Sequence, residues 1–264
     1  MNNKFKLVSF LILCFPMIMV AQQSLYQKDN FVKDSDTLRY RIMLPENFSD
    51  NKAYPLVFFL HGAGERGNDN ESQLIHGSDL FASEENRENY PAIIIFPQCS
   101  KDSYWSNASV DRSDNGVKLK FHTDKAPTKA MALAMDLLRE YISKPYVNKQ
   151  QVYVVGLSMG GMGTFEILSR MPDTFAAAIP ICGGGSTELV KKYVNTPIWV
   201  FHGAQDNVVN PNHSLEMVKA LLAEGGSPRF TLYDNANHNS WDRAFHEPDF
   251  LSWLFSHKLT ENKD

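Results

Sequence analysis

The apolar run Val152-Tyr153-Val154-Val155 passes directly into Gly156-Leu157-Ser158-Met159-Gly160, and this junction constrains the fold more than any other feature of the chain. A β-branched strand that delivers G-x-S-x-G into small residues and a helical stretch has the pattern of a nucleophile elbow. In that turn a sharp change from strand to helix lifts a serine hydroxyl above a sheet. Gly156, Gly160 and Gly161 omit side chains where the two backbones must approach closely.

The rest of the chain supplies a sheet for such a turn. Pro55–Leu60, Ala92–Phe96, Ala176–Ile181 and Ile198–Phe201 are short continuous apolar runs, as strands buried on both faces require. Leu38–Leu44 alternates apolar with Arg and Tyr, which predicts a half-exposed antiparallel strand at one edge, and Phe230–Tyr233 reads as the last strand. Ala130, Leu133, Ala134, Leu137, Leu138, Tyr141 and Ile142 recur at helical spacing and mark one buried face. A second helix follows Asn210 as N-cap, with Pro211 at its first position and Gly225-Gly226 to stop it. Phe250–Phe255 suggests a closing helix. Strands alternating with helices indicate one α/β domain with a mostly parallel sheet covered on both faces. From Gln98 to Ala126 no period is sustained, and the stretch reads as a long loop at a strand's C-terminal end, where such sheets bind ligands. Trp105 in this loop is expected to face substrate.

A serine hydroxyl needs a neighbouring base, and the base needs an orienting acid. Downstream of Ser158, the strand Ile198–Phe201 runs into His202-Gly203-Ala204-Gln205-Asp206, and the last strand runs into Asp234-Asn235-Ala236-Asn237-His238. The order Ser158, Asp206, His238 delivers nucleophile, acid and base from three strand ends. Asp234 and Asp242 are rival acids, but each lies too near His238 in sequence to face it across a loop. His61 and His202 precede glycines at strand ends and are expected to be structural. The oxyanion donors are expected from the backbone N–H of Met159 and, on the loop His61-Gly62-Ala63-Gly64-Glu65-Arg66-Gly67, from Ala63 with Gly64 as alternative. Glu65 and Arg66 are expected to brace that loop as an ion pair. Gly62, Gly64 and Gly67 also spell G-x-G-x-x-G, but polar residues follow rather than an apolar helix, and no strand ends in an acid about 20 residues on. No cofactor is therefore expected. Without H-E-x-x-H or clustered Cys/His spacing, no metal is expected either.

The first 21 residues read as a cleaved export signal. Lys4 and Lys6 precede the apolar stretch Leu7–Val20, which ends at Ala21, is shorter than the roughly 20 residues of a membrane span and contains Pro16. Leu11-Ile12-Leu13 before Cys14 lacks the small residues that precede a lipidated cysteine. Removing residues 1–21 takes two lysines and no acid, so the net charge moves from −4 to −6. An acidic chain without a Lys/Arg cluster disfavours nucleic acid or an anionic membrane as partner. The remaining Cys99 and Cys182 end strands separated by two others, about 14 Å apart at about 4.8 Å per strand. That exceeds the roughly 7 Å limit of a disulfide, and two buried thiols are expected.

Taken together, HGAGERG, GLSMGG, HGAQD and ANHNSWD resemble the α/β-hydrolase superfamily over residues 36–257. Within it they resemble bacterial exported esterases of the feruloyl and acetyl-xylan type (carbohydrate esterase family one) and polyhydroxybutyrate-depolymerase-like esterases. The resemblance implies the α/β-hydrolase fold for a catalytic domain of residues 22–264, with sheet order 1-2-4-3-5-6-7-8. It also implies a periplasmic or secreted serine esterase whose substrate is a small-molecule or polysaccharide-linked ester. Trp105 and Trp241, whose aromatic faces suit sugar and phenolic rings, are the expected substrate contacts. A prolyl-oligopeptidase-like serine peptidase, a short-chain carboxylesterase of other specificity and a non-enzymatic binding module remain the alternatives.

Overall fold

The computed structural model describes residues 24–113 and 116–260. The expected export signal lies outside the described residues. The chain runs through β1 (Gln27–Lys33), β2 (Asp36–Met43), β3 (Tyr54–Leu60), α1 (Ser78–Ala82), α2 (Glu84–Asn89), β4 (Ile93–Pro97), β5 (Ala108–Ser113), β6 (Gly116–Phe121), α3 (Lys129–Ser143), β7 (Val147–Leu157), α4 (Met159–Arg170), β8 (Ala177–Ile181), β9 (Trp199–Gly203), α5 (Asn212–Ala223), β10 (Arg229–Tyr233), α6 (Trp241–Ala244) and α7 (Phe250–Ser256).

Eight strands form one sheet in the order β1-β2-β4-β3-β7-β8-β9-β10. Leaving out the separate hairpin β5–β6, this is the expected 1-2-4-3-5-6-7-8. The β1–β2 and β2–β4 pairings are antiparallel, and the remaining pairings are parallel. Because strand side chains alternate, consecutive residues of one buried run feed two cores. Leu56, Phe58 and Leu60 pack with α3, α4 and α5, whereas Val57 and Phe59 pack with α1 and α7. Both phenylalanines are fully buried, and burial of such a side chain contributes about 1.5–3 kcal/mol.

Two expectations fail here. The strand read at Leu38–Leu44 is not the edge, because β1 pairs outside it. β1 is mostly exposed and polar (QKDNFVK), so it carries no apolar period to read. The stretch read as a loop from Gln98 to Ala126 contains the hairpin β5–β6, whose Val110 and Leu119 are directly paired. The turn chemistry Asp114-Asn115-Gly116 between alternating residues was its available signal. The α5 start is close to expectation: Asn210 Oδ1 accepts the Asn212 N–H at 2.9 Å, and Gly225 follows the helix at φ +88°. Cys99 and Cys182 are free and buried.

β7 can turn into α4 only because glycines remove side chains at the crossing. An ideal Cβ on Gly160 would lie 1.8 Å from the Leu60 carbonyl oxygen, and one on Gly156 would lie 2.2 Å from the Gly160 oxygen. Backbone atoms cannot yield as a flexible side chain can. Gly160→Ala is therefore expected to destabilise the fold by more than about 3 kcal/mol or to prevent its accumulation. Urea unfolding checks this, and a wild-type midpoint would show that the crossing is not close-packed.

Candidate active site

Ser158 sits at the end of β7 with φ 54° and ψ −115°, a left-handed backbone that a residue with a Cβ occupies only under strain. The conformation is held from both sides: the Ser158 N–H donates to Ile181 O at 2.8 Å, and its carbonyl accepts the Met162 N–H at 3.0 Å. The hydroxyl faces His238, with Oγ 2.9 Å from Nε2, and His238 Nδ1 lies 2.7 Å from Asp206 Oδ2. A carboxylate can only accept from Nδ1, so the proton sits there and leaves Nε2 to accept from the serine.

Asp206 is buried, which alone would raise its pKa. Hydrogen bonds from His202, His238 and the Val209 N–H, with the charge of His238, outweigh burial and hold the carboxyl well below the usual carboxylate range. Its Oδ1 accepts the N–H groups of Val208 and Val209, both at 2.8 Å. His202, expected to be structural, has Nε2 3.2 Å from Asp206 Oδ2 and also meets Val209 O and the Ser214 hydroxyl. Asn237 ties the two loops together, since its Oδ1 accepts both the His238 and Asn207 N–H groups. No sequence signal singled out Asn237. The rival acids Asp234 and Asp242 are exposed, and Asp242 instead meets the Asn239 amide.

The loop after β3 curls into a 3₁₀ turn, Ala63–Glu65, beside Ser158. A Cβ on Gly62 would lie 3.7 Å from Ser158 Cβ. Ala63 begins that turn and Met159 begins α4, and N–H groups at such starts lack partners within their own helix. His61 fixes the loop: its buried ring has Nδ1 2.6 Å from Gly62 O and Nε2 accepting the Cys99 N–H at 3.0 Å. Burial lowers its pKa to about 4.

Trp105 does not face substrate. It is fully buried, donates Nε1–H to His61 O at 3.1 Å and packs against the His61 ring, so it braces the loop from beneath. Its neighbour Tyr104 reaches the cleft instead; within an irregular stretch, sequence cannot tell which of two adjacent aromatics turns outward. The Glu65–Arg66 ion pair is also absent. Arg66 donates to the carbonyls of Ala63, Lys101 and Ser103, while Glu65 lines the cleft beside His76.

A cleft of about 250 Å³ opens over Ser158. Tyr104, Val110, Leu119, Met162 and Val208 form an apolar wall, and Glu65 and Trp241 border the His238 side. The Trp241 ring meets the His238 imidazole edge-to-face at 5.3 Å. Among the described residues, Cys182 joins Asp206 and His238 in a group whose ligand atoms lie within 4.8 Å of one another. Burial pushes the Cys182 thiol well up, which keeps it protonated, and Asp206 and His238 are already bound to each other.

A model of the dienelactone hydrolase family, part of the α/β-hydrolase superfamily, matches residues 101–248, more than half of the chain. The chain belongs to the dienelactone hydrolase family. The matched span holds Ser158, Asp206 and His238. A solved thermostable esterase superposes with a TM-score of 0.81 at 31% identity, over 90% of this chain and 64% of that one. A Schizosaccharomyces pombe protein named as a dipeptidyl aminopeptidase is 25% identical over 81% of this chain and 27% of its own length. The bifunctional acetylxylan esterase/xylanase XynS20E of Neocallimastix patriciarum is 24% identical over 64% of this chain and 21% of its own. The chain thus spans about a quarter of the length of these curated relatives.

The neutral burial of His61 has a pH signature. The ring binds a proton less readily when folded than when unfolded. Its contribution is therefore complete above about pH 6.5 and is lost as pH falls toward 4, amounting to about 3 kcal/mol. His61→Asn is expected to be less stable than wild type at pH 7, with the gap narrowing by about that amount at pH 4. Urea unfolding at the two pH values checks this; a gap independent of pH would contradict a neutral buried ring.

Proposed function

We propose that the protein is an exported serine esterase that cleaves carboxylic esters through an acyl-enzyme. The observation that carries this reading is the strained Ser158 with its hydroxyl 2.9 Å from a histidine whose far nitrogen is held by a buried carboxylate. Ser158 Oγ attacks the ester carbonyl as His238 Nε2 takes its proton. The N–H groups of Met159 and Ala63 bind the developing oxyanion. His238 returns the proton to the departing alcohol, and Asp206 stabilises the imidazolium in between. Water activated by His238 then releases the acid. Side chains and backbone of this chain carry every step, without cofactor or metal.

For substrate, we infer feruloyl or acetyl esters on plant polysaccharide. Membership of a hydrolase family, the likeness to an acetylxylan esterase/xylanase and the sequence resemblance support this, as does a cleft with one apolar wall and one polar edge. Export rests on residues 1–21, with residues 22–264 as the catalytic domain in the periplasm or outside the cell. Among the described residues no helix is long and apolar enough to cross a membrane. Peptide-bond cleavage is a second reading, favoured by the likeness to the aminopeptidase.

Purified protein and its Ser158→Ala variant, assayed on acetyl, butyryl and octanoyl nitrophenyl esters, methyl ferulate and aminoacyl anilides, separate these readings. Ester turnover is expected, with kcat lowered about 10⁴–10⁶-fold in the variant. Residual variant activity within tenfold of wild type would reject Ser158 as nucleophile. Turnover of anilides alone would replace the esterase with a peptidase.

A further inference from the structure

Two polar atoms at the His238 side of the cleft have no hydrogen-bond partner and are shielded from solvent: Glu65 Oε2 and Trp241 Nε1. One is an acceptor on a side chain that is otherwise almost wholly buried, and the other is a pure donor. Leaving such groups unpaired is costly, and more so when the group is charged. Arg66 does not explain the place of Glu65, because it is turned onto carbonyl oxygens, and His76 Nε2 meets only Oε1, at 3.8 Å, which leaves Oε2 without a partner. Gly62 makes room for the carboxyl: the point where a Gly62 Cβ would sit is 2.8 Å from Glu65 Oε2 and 3.7 Å from Ser158 Cβ. The acid is therefore a near neighbour of the nucleophile. His76 links the two groups, meeting Glu65 on one side and lying 5.2 Å from the Trp241 ring on the other.

The side of the cleft decides which part of an ester meets them. His238 must hand its proton to the departing oxygen, so the alcohol leaves past His238, and Trp241 packs directly on that imidazole. Val110, Leu119, Met162 and Val208 give the rest of the cleft an apolar lining, which suits the acyl group. A hydroxyl has both the donor that Oε2 needs and the acceptor that Nε1–H needs, and both residues line the cleft. The terminal carboxyl torsion of glutamate is soft, so Oε2 can turn toward the cleft that Glu65 already lines.

We propose that Glu65 Oε2 and Trp241 Nε1–H form a hydroxyl-recognition subsite for the leaving alcohol. The subsite selects esters whose alcohol carries a free hydroxyl next to the esterified one, as a sugar does. It rests on the ester-hydrolysis reading above. A site built to pair a hydroxyl discriminates strongly against an analogue without it, because the buried groups then stay unpaired.

The test is the ratio of kcat/KM for two acetyl esters of a methyl xyloside, one with the neighbouring hydroxyl free and one with it removed. Because both esters are measured on one preparation, the ratio is independent of how much protein is folded. The wild type is expected to prefer the hydroxylated ester at least tenfold. In Glu65→Leu and in Trp241→Phe, which keeps an aromatic ring, the ratio should fall to within about threefold of one. Glu65→Leu should also unfold at no lower a temperature than wild type, since it replaces a buried carboxyl with an unsatisfied oxygen by an apolar group. A wild-type ratio near one with both esters cleaved, or a ratio unchanged in both variants, would overturn the subsite and leave the esterase standing. Loss of stability in Glu65→Leu with the ratio kept would make Glu65 structural. Cleavage of neither ester would instead strike the esterase reading itself.

Discussion

Everything in the site depends on a backbone contact rather than a side-chain one: the approach of the Gly160 backbone to the Leu60 carbonyl, where even a methyl group would overlap. That approach lets β7 turn into α4 within one residue. It forces Ser158 into a left-handed conformation and puts the loop after β3 beside it. Ser158 and the backbone N–H groups of Ala63 and Met159 are thus positioned by one packing event. The strain at Ser158 is tolerated because the surrounding sheet over-determines it, through the Ile181 bond on one side and the Met162 bond on the other.

Asp206 and His238 arrive from different strands, and a second set of close contacts joins them. Gln205 N–H donates to Ala236 O, and Asn237 reaches back to Asn207, so the loops after β9 and β10 behave as one unit. Asp206 then has all its lone-pair directions occupied, by two backbone N–H groups and two histidines. This keeps it ionised inside the protein and fixes the tautomer of His238. Beneath the loop after β3, His61 and Trp105 play the corresponding part, joining the end of β3 to the segment after β4.

The parallel strands were legible in sequence because strands buried on both faces must be apolar throughout, and the elbow because its glycines have no substitute. That Ser158, Asp206 and His238 come together was legible since each follows a readable strand end. β1 and the β5–β6 hairpin escaped because exposed polar strands carry no hydrophobic period, so their pairing decides their structure. The mistake over Trp105 has a similar origin: its burial depends on Gly163, where a Cβ would lie 2.5 Å from its own, a contact 58 residues away in the chain. Glu65 is visible in sequence as a residue, but the unpartnered state of its Oε2 is not. Only the direction taken by Arg66 reveals that.

The proposed ester hydrolysis requires Ser158 to be a nucleophile activated by its neighbours. The most direct measurement is intact-mass and peptide mapping of the protein after brief treatment with a fluorophosphonate at neutral pH. One adduct per chain, on the peptide containing Ser158 and abolished by prior denaturation, is the predicted result. An unmodified chain, or an adduct on another residue, would contradict the account.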